Sequence, residues 1–283
     1  MKNKNKRIPI ILVWNVLIIS LSFYAQDFQS QKKLDEILTK AREYCEKLEN
    51  AAFDFVCKEK IIEKIDMSRG DQVLSIVRNI PGSWGSNKRI LTNSYVYDYQ
   101  LIKKGWYVME TRTLLEENGK ERHEKNAVLK TQMFYFRKPL FGPTGLLSRY
   151  WQERLDYSLL GEEPLNGEKV LVIEAVPKPS FTEEHLYGKI WIKKSDYSIL
   201  KIEWVPESMQ DYERIETVAK KYKGEPQITM ITEFNIEKKG IRFPSKIFVE
   251  EAYITKKGKD IRSETTINYN EYKFFTVEFN VKY

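Results

Sequence analysis

Histidine and cysteine are nearly missing from this chain, with two of each among 283 residues. So few imidazole and thiol groups leave little for a metal centre or for His-dependent acid–base chemistry. His123, inside Glu121-Arg122-His123-Glu124-Lys125, and His185, after Glu183-Glu184, both read as solvated charge. Neighbours along an extended chain point to opposite faces, so Glu183, Glu184 and His185 do not form one site by themselves. Glycine and proline are sparse, at 13 and 10 residues, which excludes a collagen-like or low-complexity chain. No serine sits in a Gly-x-Ser-x-Gly elbow and no phosphate-cradling glycine loop occurs. The acid pairs Glu116-Glu117 and Glu162-Glu163 flank turns, and no spacing sets either against a second acid at glycosidase distance. These absences point away from an enzyme, and no cofactor or metal is expected.

A true excess of positive charge is missing as well. Of the 47 Lys and Arg residues, four (Lys2, Lys4, Lys6, Arg7) fall in the first 25 positions, where no acid occurs; 43 bases then face 40 acids. That balance does not make a nucleic-acid surface. What is abundant is apolar and aromatic area: 42% of side chains are hydrophobic and 13% aromatic, including 17 Tyr. The chain can bury a sizeable core, and intrinsic disorder is excluded.

One long hydrophobic run exists, from Ile8 to Tyr24, between a basic start and Ala25-Gln26. This is the pattern of a secretory signal over 1–25, leaving a single domain over 26–283. Phe23 is large for the position three before a cut. An uncleaved anchor is the alternative, although the run only reaches the lower limit of a spanning helix, about 17 residues. A periplasmic destination follows, and it suits Cys45 and Cys57. Leu34, Ile37, Leu38, Ala41, Tyr44, Cys45 and Leu48 recur at helical spacing over about 31–50. Beyond Asn50, Phe53, Phe55, Cys57, Ile61 and Ile65 alternate along a strand. The two cysteines thus face the same interior, and a Cys45–Cys57 disulfide is expected. Two separate buried thiols are the alternative, and spacing does not choose between them.

The rest of the chain reads mainly as antiparallel strands joined by turns at Lys104-Gly105, Asn118-Gly119, Asn166-Gly167, Ser195-Asp196 and Lys257-Gly258. Asn-Gly between β-prone runs is a strong hairpin signal, because a type I′ turn needs positive φ at both positions. A further helix is expected over 208–223, and a half-buried strand over 275–283. Val170–Val176 and Ile190–Leu200 carry apolar residues on both faces. The expected fold is α+β, mainly β: a strongly curved antiparallel sheet, or incomplete barrel, whose concave face is covered by the N-terminal amphipathic helix and one or two others. Leu91, Tyr95, Tyr97, Tyr99, Met230 and Phe234 are candidates to line a cavity there, with plain core packing as the other reading. The segment 139–151 is too rich in Pro and Gly for a strand. Its Leu146, Leu147, Tyr150 and Trp151 suggest a short amphipathic helix that acts as a lid. Trp84, in a loop, is either an exposed contact or a cover for the core.

The order of these parts, with Asn166-Gly167-Glu168-Lys169 turning into Val170–Pro177, then Gly188-Lys189-Ile190-Trp191-Ile192, Ile199–Glu203 and Gly240–Ser245, resembles the outer-membrane lipoprotein-sorting (LolA-like) proteins over about 150–283. The resemblance implies a half-barrel whose apolar interior accepts acyl chains, with no catalytic or metal site. A lipid or an acylated protein would be the partner, with peripheral or transient membrane contact and no nucleic acid. An envelope sensor, or a module that binds an envelope protein, is the alternative on the same fold.

Overall fold

The computed structural model describes residues 10–51, 54–68, 90–104, 107–131, 141–209 and 212–274. Trp84 and the alternating segment 275–283 lie outside them. Among the described residues, one sheet dominates, with eleven strands paired antiparallel throughout. In chain order the elements are α1 (Ile10–Ala51), β1 (Asp54–Asp66), β2 (Ile90–Lys104), β3 (Tyr107–Glu117), β4 (Lys120–Lys125), α2 (Phe141–Leu147), α3 (Arg149–Gln152), β5 (Leu155–Leu165), β6 (Glu168–Pro177), β7 (Gly188–Lys193), β8 (Ile199–Trp204), α4 (Tyr212–Tyr222), β9 (Glu225–Glu233), β10 (Ile236–Lys238), β11 (Ile241–Phe243), β12 (Lys246–Thr255) and β13 (Gly258–Phe274). The spatial order is β4-β3-β2-β1-β13-β12-β9-β8-β7-β6-β5, and β10 and β11 form a separate hairpin. Among the described residues the sheet therefore does not close: β4 and β5 are its two edges.

Both edges are protected chemically. Every residue of β4 is charged or histidine and exposed, and such an edge resists pairing with another chain. On β5, the pairing with β6 shifts between Leu159 and Gly161, and Pro164 cannot donate to a ladder. Glu162 of this edge binds Lys33 of α1 and Lys194, each at 2.7 Å. The Asn-Gly turns have the positive φ that the sequence demands: 51° and 75° at Asn118-Gly119, 52° and 82° at Asn166-Gly167.

Core packing follows the two periodicities. Leu34, Ile37, Ala41, Tyr44, Cys45 and Leu48 form the buried stripe of α1. They join Phe55, Ile61, Leu101, Leu171, Ile173, Ile190, Ile202 and Ile247 in one cluster that spans nearly the whole sheet. The expectation of strands apolar on both faces also holds: Val170, Val172, Trp191 and Leu200 make a second buried cluster on the face opposite Leu171 and Ile173, given the period of two. The Trp191 ring is roofed there by Lys201 Nζ, 3.8 Å from its centroid. The helix expected over 208–223 is α4, preceded by a 3₁₀ turn at Pro206–Ser208. Its Val218, Ala219 and Tyr222 pack on Tyr253 of β12.

Three expectations change. The first helix is not confined to about 31–50: α1 runs unbroken from Ile10, through the anticipated cut after Ala25, to Ala51. Among the described residues no helix is long and apolar enough to cross a membrane. The anticipated disulfide is not made, because Cys45 and Cys57 are both free and buried. They face the same core but different neighbours. Cys45 Sγ lies 3.5 Å from the Pro143 carbonyl of α2, whereas Cys57 sits on β1 opposite Tyr99 of β2 and next to the Tyr272 hydroxyl. Burial pushes both thiols up, reinforced at Cys45 by the acids Glu49 and Glu46 and at Cys57 by Glu59. The third change concerns the lid, described next.

Candidate functional site

The segment expected to form one amphipathic helix divides at Ser148 into two short helices, α2 and α3. Leu146 and Leu147 of α2 are wholly buried and belong to the main apolar cluster. Gly142 lies so close to the wall that a Cβ there would meet Trp204 and Ile202 side-chain atoms at 3.1 and 3.2 Å. Tyr150 faces the other way: it is half exposed, and the Arg154 guanidinium stacks over its ring, 3.5 Å from the centroid. Trp151 is partly buried and packs at the margin of the core.

What secures this cover is a set of side chains that reach its backbone carbonyls. Gln152 Nε2 donates to Leu38 O of α1 and to Leu147 O, both at 2.8 Å. The Tyr157 hydroxyl of β5 donates to Leu146 O. His185 Nε2 lies 2.6 Å from Gly145 O, and since a carbonyl only accepts, the proton is on that nitrogen. The imidazole also stacks on Trp151 at 3.5 Å between centroids and 12° between planes. His185 is thus no solvated charge, as its acidic sequence neighbours suggested. Burial lowers its pKa, against the opposing pull of Gly145 O and Glu183. His123 is exposed on β4 beside Glu121, as expected.

The concave wall brings together the cavity candidates. Tyr95, Tyr97, Tyr99, Met230 and Phe234 are all buried in the same cluster, while Leu91, opposite Ile65 on β1, is only partly buried. The Tyr97 hydroxyl accepts the Lys130 backbone N–H at 3.2 Å. On β1, odd-numbered side chains face inward: Phe55, Cys57, Glu59, Ile61, Glu63 and Ile65 are all buried. Two of the six are carboxylates that the sequence reading passed over. The available signal was their place in the alternation, at the two gaps between Cys57, Ile61 and Ile65.

Glu59 is the centre of a buried polar group. Its carboxylate takes Arg112 Nε at 2.5 Å and Nη2 at 3.0 Å, and also accepts the Tyr269 hydroxyl at 3.0 Å. Arg112 Nη2 is 2.8 Å from Glu110 Oε1 as well, but off the N–H direction, so no hydrogen bond forms there. The Arg112 guanidinium stands over the Tyr99 ring, 4.8 Å from its centroid. Burial works against the Arg112 charge, yet Glu59 and Glu110 outweigh it and raise its pKa. Burial, with Glu110 next in weight, raises the Tyr99 phenol, and burial with Glu59 raises Tyr269. Four residues further along β1, Glu63 accepts from Asn93 Nδ2 at 3.3 Å. Beside this polar group stands an aromatic wall: the Phe55 ring is 6.0 Å from Tyr99, 5.9 Å from Phe243 and 5.1 Å from Tyr272.

A family model described as an uncharacterized protein matches residues 146–277. No curated protein matches the chain. Among solved structures, the chain is similar to a DUF1329 family protein from Desulfovibrio piger at 12% identity, with 85% of this chain and 94% of that one covered and a TM-score of 0.40. A LolA superfamily protein from Nitrosomonas europaea shares 15% identity, over 86% of this chain and 94% of its own, with a TM-score of 0.36. A domain from Vibrio parahaemolyticus, assigned as an outer membrane lipoprotein-sorting protein, shares 13% identity over the same shares, 86% and 94%, with a TM-score of 0.37.

Proposed function

We propose that this protein is a periplasmic carrier that holds the acyl chain of a lipid or acylated protein in its half-barrel, without catalysis. The observation that carries the proposal is the placement of Leu146 and Leu147. Two fully buried leucines, on a seven-residue helix, fill apolar space between α1 and the concave wall, held by a few side-chain bonds to carbonyls. Such a short element is separable from the sheet at low cost. The polar groups that converge inside the sheet are largely engaged with one another, and support structure rather than bond-making.

The energetics of exchange are consistent with a carrier. Lifting two leucines into water costs on the order of 3–6 kcal/mol, whereas burying an alkyl chain returns about 0.8 kcal/mol per CH₂. A chain of eight or more methylenes therefore outweighs the leucines it displaces. A chain taken from a bilayer is already out of water, so that transfer is near balance and the cover decides its direction. Pick-up and release by contact with a membrane or an acceptor then need no chemical energy.

A homologous series of alkyl ligands, competed against a fluorescent fatty probe, tests the proposal. Each added CH₂ tightens binding by about fourfold until the groove is filled. Affinity independent of chain length, or none at all, overturns it.

A further inference from the structure

The polar group on the wall contains two buried atoms that make no hydrogen bond, one of which, Glu110 Oε1, has only its ion pair with Arg112. The Tyr99 hydroxyl and Glu110 Oε1 are buried, and neither has a hydrogen-bond partner. Tyr99 is 1% exposed and the Glu110 side chain 10%. Their strands are paired: Tyr99 lies opposite Arg112, and Glu110 opposite Leu101, so the two side chains are diagonal neighbours on one face, within reach of each other's partners. A buried donor or acceptor left unmatched destabilises a fold, and native proteins rarely keep one without a use.

The surrounding inventory defines what would match them. Glu59 is already saturated by Arg112 and Tyr269. Tyr99 offers an O–H donor and Glu110 an acceptor, so one group that accepts and donates at the same point satisfies both. A hydroxyl does this; an ether or ester oxygen accepts only, and an ammonium donates only. A carboxylate or phosphate would face two carboxylates, Glu59 and Glu110, with one guanidinium, Arg112, between them. The aromatic wall of Phe55, Phe243 and Tyr272 runs beside this point, where a hydrocarbon tail would lie.

We infer that Tyr99 and Glu110 form the head-group subsite of the half-barrel, and that it takes the hydroxyl of an uncharged amphiphile such as a long-chain alcohol or a monoacylglycerol. This rests on the carrier reading and adds the class of ligand. The subsite has an unusual signature, because Tyr99 weakens the empty protein and strengthens the loaded one.

The experiment compares 1-dodecanol, dodecyl methyl ether and dodecanoate on the full chain, by competition with a fluorescent probe, in the wild type, in Tyr99→Phe and in Glu110→Met. Dodecanol binds about tenfold or more tighter than either of the others to the wild type. Tyr99→Phe weakens alcohol and ether alike by about threefold or more and raises the Tm of the empty protein by about 2–4 °C, whereas Glu110→Met, which removes the acceptor that only the alcohol can use, brings alcohol and ether to within about threefold. Equal binding of alcohol and ether to the wild type overturns the inference and leaves the carrier standing, the two atoms then serving water alone. An alcohol preference over the ether that survives Glu110→Met unchanged also overturns it. Failure of all three ligands to bind overturns both readings.

Discussion

Arg112 of β3 grips Glu59 of β1 with two prongs, Nε to Oε2 at 2.5 Å and Nη2 to Oε1 at 3.0 Å, although the residues are 53 positions apart and β2 lies between their strands. The pair ties together three strands at the half of the sheet that α2 does not cover. Its worth lies in compensation: each charge is buried, and each is tolerable only because of the other. Arg112→Met strands the Glu59 carboxylate and lowers unfolding free energy by about 3–5 kcal/mol, read by urea denaturation. Adding Glu59→Gln to that variant restores a large part of the loss. If the double variant is as unstable as the single one, shape rather than charge governs this position.

His185 makes the cover sensitive to acid. Burial depresses its pKa below the ordinary 6.5, so between the two values the unfolded chain binds a proton that the folded stack on Trp151 resists. The stabilisation from this residue is complete above about pH 6.5 and is lost as pH falls below it. Thermal melts between pH 8 and pH 5 show a larger drop for the wild type than for His185→Gln. Parallel curves for the two would contradict the account of this contact.

Glu59, Arg112 and His185 also show where the sequence was readable and where it was not. The inward face of β1 could be read from alternation alone, as could the buried stripe of α1 and the Asn-Gly turns, because each depends on neighbours in the chain. Glu59 and Arg112 are partnered only once β3 and β13 have been brought to β1, and no local pattern announces that pairing. His185 has the same history: Glu183 and Glu184 made it look solvated, and the stack on Trp151 and the bond to Gly145, 40 residues away, are products of the fold. The division of 139–151 into a buried Leu146-Leu147 pair and an outward Tyr150 was hidden for a related reason, since a single helical period had been applied across Ser148. Glu59 and Glu63 are legible in the β1 alternation as carboxylates on an otherwise apolar face, although their partners are not.

Gly188, which opens the Gly-Lys-Ile-Trp-Ile strand, is fixed by the approach of β8. A Cβ at this position would stand 2.1 Å from Glu203 O and 2.9 Å from Trp204 Cα, both backbone atoms. Backbone gives way less readily than a side chain, so Gly188→Ala costs at least about 3 kcal/mol, the upper end of ordinary overpacking. Chemical denaturation measures it, and an alanine variant within about 0.5 kcal/mol of the wild type would show that β7 and β8 lie farther apart.

Cys45 and Cys57 should behave as buried, protonated thiols. Without any reductant, the native protein reacts slowly with a thiol reagent and the denatured protein titrates two thiols per chain. Reductant leaves the Tm unchanged. A count of zero in denaturant would mean that the bridge forms after all.

The central claim is that the half-barrel exists to hold a hydrocarbon guest, and native mass spectrometry of the protein as it leaves cells tests it most directly. Under gentle ionisation the account predicts a population heavier than the bare chain by the mass of an amphiphile, and organic extraction recovers that compound and returns the protein to its bare mass. A bare chain under every gentle condition, above all one that leaves cells in a stoichiometric complex with another protein and no lipid, would contradict it.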